Sequence, residues 1–169
     1  MNTLVAVNTH THTVTYVTDQ LLRSLNRILV EAGLEPSVLT DARTSYDLAI
    51  STWLRSGDLT GLVLEVYSPY DGKLVSRWDI SIDYTYGSGD DGSMWFDPDT
   101  ISQAIAKAGV PAGKCSYRII AFTKPGRPDV AGWGPAEALR STDGFVKQSV
   151  GTAIGTTTIG AGLEYWRRK

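Results

Sequence analysis

The sequence predicts an α+β fold in which a three-stranded antiparallel sheet is backed by three helices. The first supporting observation is a pair of runs with period-two alternation, separated by a turn that contains proline and glycine. This pattern is typical of a β-hairpin. The second is a set of amphipathic helical patterns before and after the hairpin. A sheet with one apolar face needs such helices to cover it.

The hairpin spans residues 59–86, with its turn at residues 68–72. Pro69 sets φ at the start of the turn, and Asp71-Gly72 supplies the positive φ that a tight turn needs. The residues that alternate along the two strands are Leu62, Leu64 and Val66 in the first and Trp78, Ile80 and Ile82 in the second. We expect these residues to face the helices.

The longest helical pattern runs from about Val14 to Ala32, with apolar residues recurring at three and four positions. Thr13 or Thr15 is suited to cap its start. Gly33 follows the last turn, where helices commonly end. Residues 1–13 are rich in Thr and Asn and show no helical period, so we expect an extended N-terminal arm there.

A second helix is predicted from about Arg43 to Ser56, with Thr40 or Asp41 as its cap and Gly57 at its end. Pro36, which comes before it, is expected to prevent the first helix from restarting.

A third helix and a third strand complete the predicted core. Asp97-Pro98 is a strong helix start, with the carboxylate at the cap and proline at the first helical position. Gly109 stops this helix, and a strand follows from about Lys114 to Thr123. The predicted order is therefore α-α-β-β-α-β, with all core residues before Lys124.

Residues 125–169 differ from the rest of the chain because they hold eight of its 17 glycines and no long helical stripe. Scattered aromatic and branched residues argue against disorder. We expect short strands and loops that wrap the sheet. The segment is also basic, which favours either solubility or contact with an acidic partner; its cationic residues are Arg127, Arg140, Lys147, Arg167, Arg168 and Lys169.

Composition narrows the class of protein. The net charge of −2 gives no support for nonspecific nucleic-acid binding. The single cysteine, Cys115, excludes an internal disulfide framework and suits a reducing compartment. No apolar run approaches the ~20 residues of a membrane span, and the N-terminus lacks the basic region of a signal peptide. We therefore expect a cytoplasmic protein.

The sequence offers only weak candidates for a metal-binding or catalytic site. His10 and His12 are the only histidines, and zinc would need further ligands. The acidic residues Asp90 and Asp91, in a loop before Asp97, do not have the spacing of a calcium loop. Cys115 has no histidine partner and is interpreted as a structural thiol. No metal site, cofactor or catalytic set is predicted, so we expect a binding protein rather than an enzyme.

Two alternative classes remain. The first is an enzyme of unknown chemistry that uses Asp90, Asp91 or Cys115. The second is a structural oligomerisation module whose C-terminal tail swaps between protomers.

Five blocks of sequence, occurring in order, resemble the bacterial HORMA-domain proteins. They are THTVTYVTD (11–19), WLRSGDL (53–59), RWDISIDY (77–84), TKPGRPDVAGW (123–133) and RSTDGFVKQSVG (140–151). The resemblance covers the whole chain and implies a single HORMA domain, with an arm at residues 1–13, a core at 14–124 and a C-terminal "safety belt" at 125–169.

The resemblance implies a peptide-binding switch of anti-phage cyclic-oligonucleotide signalling (CBASS) operons. The belt would wrap a closure-motif peptide that adds to the sheet edge. The domain would bind and activate a cGAS-like nucleotidyltransferase, a Pch2-type AAA+ ATPase would open it by its N-terminus, and a second HORMA protein is a further partner.

The resemblance also assigns roles to residues of this chain. The peptide-binding edge strand would include Cys115, Tyr117, Ile119, Ala121 and Thr123. The belt would be anchored by Trp133, Phe145, Val150, Leu163, Tyr165 and Trp166. The handle for the ATPase would include Asn2, Thr3, Leu4 and His10.

Overall fold

A computed structural model describes residues 2–84, 94–111, 113–156 and 158–169, with side chains from residue 11 onward. The helices are α1 (Asn2–Glu31), α2 (Ser37–Asp41), α3 (Arg43–Ser56) and α4 (Pro98–Ala108). The strands are β1 (Leu59–Tyr67), β2 (Leu74–Asp83), β3 (Trp95–Phe96), β4 (Ser116–Thr123), β5 (Phe145–Gly155) and β6 (Gly160–Arg168). The chain therefore has the mixed helix-and-strand class that its sequence predicts.

The strands form one sheet of six strands in the order β3-β5-β6-β2-β1-β4, and every neighbouring pair is antiparallel. The β1–β2 hairpin and the β1–β4 pairing confirm the predicted core. The count of three strands was wrong, because β5 and β6 extend the same sheet beyond β2 and β3 adds to β5.

There is a physical reason why the sequence pattern did not predict β5 and β6. Their pairing is irregular between Ser149 and Gly151 and between Thr152 and Ile154. Each irregularity shifts the alternation of inward and outward side chains by one residue, so no single period-two pattern spans β5. Gly151, with φ of +106°, adopts a conformation that a residue with a side chain rarely takes. Glycines that looked like loop residues therefore lie within strands.

The helices cover one face of the sheet. Leu62, Leu64 and Val66 of β1 and Trp78 and Ile80 of β2 are buried against the helices, as predicted. The core also includes residues that follow Lys124, namely Val130, Ala153, Ile154, Ile159, Ala161, Leu163 and Tyr165. The expectation that the core ends before Lys124 was wrong, because β6 lies beside β2 and continues its buried face.

The start of α1 also corrects the prediction. The helix begins at Asn2, so residues 2–13 are not an extended arm. Thr13 lies inside the helix with 2% of its surface exposed and does not cap it. Thr and Asn have modest helix propensity, but residues 1–32 contain no glycine or proline to stop a helix. A helix nucleated by a buried face extends by one hydrogen bond for each added residue.

At the other helices, some of the predicted bounds and caps agree with the structure and others do not. The bounds of α3 and its closure by Gly57, in the left-handed conformation, are as predicted. Its N-cap is Ala42, without a side-chain hydrogen bond, rather than Thr40 or Asp41. Those two residues belong to α2, which starts directly after Pro36. The predicted cap of α4 is confirmed, because Asp97 accepts a hydrogen bond from the Thr100 amide at 3.1 Å.

We expect Leu163→Ala to lower the free energy of unfolding by about 2–5 kcal/mol, because it leaves a cavity in a core that β6 completes. Leu163 is 3% exposed and Leu48 of α3 is 55% exposed. Leu48→Ala makes the same chemical change and should cost less than about 0.5 kcal/mol. Urea unfolding followed by circular dichroism compares them. Equal, small effects would show that the C-terminal hairpin lies outside the cooperative core.

Candidate functional site

The two edges of the sheet differ in their regularity. At one edge, β5 is interrupted by its two irregularities, carries Lys147, and is covered at its end by β3. A methyl group on Gly155 would overlap the Trp95 indole, so glycine allows this indole to lie directly against β5. Irregularities and lysines discourage the pairing of edge strands with other chains. This edge is therefore a poor acceptor of a further strand.

At the other edge, β4 pairs with β1 in continuous register from Phe122 back to Ser116. Within the part of the chain that the structure describes, β1 is the only strand beside β4. An edge strand presents the backbone N–H and C=O groups of alternate residues away from the sheet. The edge of β4 is thus suited to accept one more strand.

The predicted edge-strand residues lie on β4 or next to it. Ile119 is buried in the core, and Cys115, Tyr117 and Ala121 are half-buried against it. The hydroxyl of Tyr117 donates to the carbonyl of Glu35 at 2.8 Å, which joins β4 to the connection between α1 and α2. Thr123 is the last residue of the strand. The five residues therefore share the helix side of β4.

After β4, the chain is first attached on the helix side of the sheet. Trp133 packs edge-to-face on Tyr46 and Trp53 of α3, with ring centroids 5.3 and 5.5 Å away. Its indole N–H donates to Ser45 Oγ at 3.1 Å. The indole N–H of Trp53 in turn donates to the carbonyl of Pro128 at 2.7 Å. We call this attachment the first anchor.

The second anchor lies on the opposite face. Glu65 alternates with the inward-facing Leu64 and Val66, so its side chain points away from the helices, yet it is 0% exposed. Its Oε1 accepts from Arg118 Nε at 2.5 Å and from Arg140 Nη1 at 2.9 Å. Its Oε2 accepts from the Arg140 amide at 2.6 Å.

Arg140 has further partners that fix it in place. Its Nε donates to the carbonyl of Gly72 at 2.8 Å, and its guanidinium lies 3.5 Å from the centre of the Tyr67 ring. Arg118 contributes from β4 by donating to the carbonyl of Ala138 at 2.8 Å. The second anchor therefore joins residues 138–140 to β1, β4 and the β1–β2 turn.

Because the anchors lie on opposite faces, residues 134–137 must pass around the free edge of β4. We call these residues the crossing segment; all four are exposed. Among the described residues, no backbone–backbone hydrogen bond joins residues 125–144 to β4. The crossing segment consequently encloses the strand edge without occupying its hydrogen-bonding positions.

The pKa of the Glu65 carboxyl reflects its contacts. Burial by itself would raise the pKa of this carboxyl. The Arg140 amide and the Arg118 and Arg140 guanidiniums outweigh burial, so the pKa of Glu65 is held below its ordinary value. The carboxylate is therefore ionised at neutral pH and the ion cluster is intact.

A family model described as "Bacterial HORMA domain 2" matches residues 2–169. The chain is a bacterial HORMA-domain protein. A sequence comparison with curated proteins found no match.

Solved structures share the HORMA fold. A chain of a mitotic checkpoint complex aligns with a TM-score of 0.72 at 12% identity, covering 93% of this chain and 99% of that one. C. elegans HTP-2 bound to the HIM-3 closure motif aligns at 0.67 and 11% identity, covering 94% and 91%. The E. coli MS115-1 CdnC:HORMA-deltaN complex contains a chain that aligns at 0.58 and 10% identity, covering 92% and 87%.

The predicted belt anchors of the HORMA domain fall in three places. Trp133 is part of the first anchor. Leu163 and Tyr165 are buried in the core, while Val150 is half-buried beside it. Phe145 and Trp166 form outer-face contacts: Arg168 lies over the Phe145 ring, and the Trp166 indole donates to Asp79 at 3.2 Å.

Sequence reasoning missed the second anchor. The sequence feature that could have revealed this anchor is Glu65, which is the only charged residue of β1. A charged side chain that is buried needs oppositely charged or hydrogen-bonding partners. Arg140 was interpreted only as one cation of a basic tail. Its partner Glu65 lies 75 residues away in the chain, which no local pattern reveals.

The other sequence candidates that fall within the described residues form no site. His12 is exposed, and the side chain of His10, like residues 85–93 with Asp90 and Asp91, lies outside the described part of the chain. Burial raises the pKa of the Cys115 thiol, which disfavours a reactive thiolate. The described residues contain no cluster of three metal-binding side chains. None of the described helices combines the length and apolarity needed to span a bilayer.

We expect Glu65→Gln to destabilise the protein at neutral pH, with the difference from the unchanged protein shrinking in acid. A carboxyl with a lowered folded pKa contributes stability that is present above its unfolded pKa and lost as the pH falls through its folded pKa. Urea unfolding at a series of pH values measures this difference.

The matched control is Glu164→Gln, which breaks a more exposed pair with Lys147. Such pairs contribute about 0–1 kcal/mol, so a small effect is expected. An acid dependence for Glu65→Gln no larger than for Glu164→Gln would contradict the assignment of a buried ion cluster.

Proposed function

We propose that this HORMA domain holds a closure-motif peptide as an added strand on β4, enclosed by the crossing segment. The observation that carries the proposal is the path of residues 134–137 around a regular, unpaired strand edge, between anchors on opposite faces of the sheet. Strand addition gives affinity through the backbone and specificity through alternate side chains.

Enclosure would lower the rate at which a bound peptide dissociates. β4 has eight residues, of which about half can present backbone groups to a peptide. Each backbone hydrogen bond contributes about 0.5–1.5 kcal/mol net. Association costs roughly 4–15 kcal/mol in lost translation and rotation. Edge pairing alone is therefore weak, and a segment that must move before the peptide leaves lowers the dissociation rate.

The surroundings of β4 supply side-chain selectivity. On the helix side, a peptide would lie beside the half-buried Tyr117 and Ala121, near the aromatic first anchor. On the outer side, it would lie beside Phe122, which is 40% exposed. Both sides favour apolar residues in the peptide. The solved structure of HTP-2 with the HIM-3 closure motif supports this use of the fold.

The partner we propose is a cGAS-like nucleotidyltransferase, which the peptide-bound HORMA domain activates in bacterial anti-phage defence. Support comes from the family match and from a solved complex of CdnC with a HORMA chain. A Pch2-type AAA+ ATPase would reverse activation by pulling the N-terminal residues, which include Asn2, Thr3, Leu4 and His10. A second HORMA protein is a further proposed partner.

A short peptide selected from a random library on the immobilised protein should bind, and Trp133→Ala should speed its release by at least about tenfold. The change removes two edge-to-face aromatic pairs, each contributing about 0.5–1.5 kcal/mol, and so loosens the first anchor. Surface plasmon resonance measures the dissociation rate.

Trp95→Ala is the matched control, since it makes the same change at the opposite edge of the sheet. Its dissociation rate should stay close to that of the unchanged protein. Selection of no peptide at all would overturn the peptide-binding proposal. Equal acceleration by both variants would show that enclosure at β4 is not what retains the peptide.

The partner proposal predicts that synthesis of a cyclic oligonucleotide by a cGAS-like nucleotidyltransferase rises when the HORMA domain and the selected peptide are both added. The HORMA domain alone should make no product. Deleting residues 1–10 should preserve activation and abolish its reversal by the ATPase with ATP, because the deletion removes the proposed handle. A rate of product formation that does not change when the HORMA domain is added would exclude the activator role.

A further inference from the structure

We propose that Glu65 is the positioning residue that locks the crossing segment in its closed path around β4. The lock consists of Glu65, Arg118 and Arg140. Its role in retaining a peptide rests on the proposed function, whereas the lock itself is a property of the free chain and is testable without any peptide.

The contacts of Glu65 divide between the sheet and the segment that crosses it. Arg118 belongs to β4 and stays beside Glu65 whatever the C-terminal segment does, because the two residues are paired across the strands. Arg140 contributes both its amide and its guanidinium. Two of the three donors to this carboxylate therefore come from residues 138–140, which hold the C-terminal end of the crossing segment.

The backbone bond sets the position of the segment. The Arg140 amide donates to Glu65 Oε2, so the carboxylate fixes the main chain as well as a side chain. Arg118 reinforces it by donating to the carbonyl of Ala138, two residues earlier. Main-chain contacts at 138 and 140 hold one end of the crossing segment at a defined distance from the edge of β4.

Opening at this point has a concerted cost. If residues 138–140 leave, Glu65 keeps one of three donors, Arg118 loses its carbonyl acceptor, and Arg140 loses Gly72 and the Tyr67 ring. Removing one partner from a buried charge is far more unfavourable than losing an exposed pair. The contacts therefore break together, which favours two distinct positions of the segment rather than gradual fraying.

The carboxylate is specifically required because all of its partners are donors. In Glu65→Gln, the amide NH₂ replaces one acceptor oxygen and faces a donor instead. The shape of the side chain is retained, so the variant tests the charge and acceptor pattern with little change in packing. Arg140→Lys keeps the charge but lacks the planar fork that reaches Glu65 and Gly72 at once.

The outer face also offers a matched control. Arg77 lies opposite Glu65 on β2, but its guanidinium is paired with Asp79 at 2.7 and 2.9 Å. Asp79 contacts Trp166 of β6 and makes no contact with residues 134–144 among its hydrogen bonds in the described structure. Asp79→Asn thus removes a partly buried carboxylate from the same face without touching the lock.

The experiment is hydrogen–deuterium exchange on the free protein at neutral pH. Glu65→Gln and Arg140→Lys should raise exchange at residues 138–144, including the Arg140 amide, by at least about tenfold. Exchange in β1 and β6 should rise by no more than the loss of unfolding free energy accounts for. Asp79→Asn should leave exchange at residues 138–144 unchanged.

Two results would overturn the lock. One is unchanged exchange at residues 138–144 in both lock variants. The other is a rise at residues 138–144 in Asp79→Asn as large as in the lock variants, which would mean that any loss of stability on this face loosens the segment and that Glu65 does not position it.

The peptide selected on the unchanged protein then tests the consequence for retention. Its dissociation from Glu65→Gln should be at least about tenfold faster, with association little altered, because only the exit is opened. Faster exchange at residues 138–144 with an unchanged dissociation rate would support the lock and exclude a role for it in peptide retention. If no peptide binds the unchanged protein, the proposed function fails while the exchange result still decides the lock.

Discussion

An antiparallel sheet has two edges, and the hydrogen-bonding groups along those edges constrain the rest of this structure. The outermost strands are β4 on one side and the two-residue β3 on the other, where β3 covers only the end of β5. At the β5 edge, β3, Lys147 and two irregularities hinder further pairing. At the β4 edge the register is continuous, and the chain passes around it. The two edges therefore differ in their capacity to accept a further strand.

The C-terminal hairpin stabilises the domain as well as bringing the chain around β4. Tyr165 stacks against Trp78 with ring centroids 5.1 Å apart, and Leu163 lies opposite Ile80 in the pairing of β2 with β6. Detaching β5 and β6 would expose this part of the core to water. Release of residues 138–140 requires no such exposure. The structure thus separates a small movement at the crossing segment from a large one at the hairpin.

This separation bears on how a peptide would leave under the proposed function. A short peptide with free ends would need only a looser crossing segment. A segment inside a long protein would stay enclosed until β5 and β6 leave β2, because residues 124–144 are covalently joined at both ends. The proposed ATPase would supply energy for the second movement, which breaks an entire strand pairing.

The sequence by itself determined the local elements. The β1–β2 hairpin, the bounds of α3 and the Asp97 cap depend on residues close together in the chain, where turn and capping chemistry act directly. It also placed β4 as a strand and, through five blocks of resemblance, the family. It did not determine that α1 starts at Asn2, because weak helix formers continue a helix that packing has already nucleated.

Only the tertiary structure decided the long-range features. The irregularities of β5 hid two strands of the sheet from any periodic pattern. Trp133 meets Ser45 across 88 residues, and Arg140 meets Glu65 across 75, so both anchors depend on chain segments brought together by folding. In the sequence, Glu65 is one charged residue in a strand, and nothing near it in the chain marks it as buried. It is buried because a distant segment lies over it, and the same contact holds that segment beside β1 and β4.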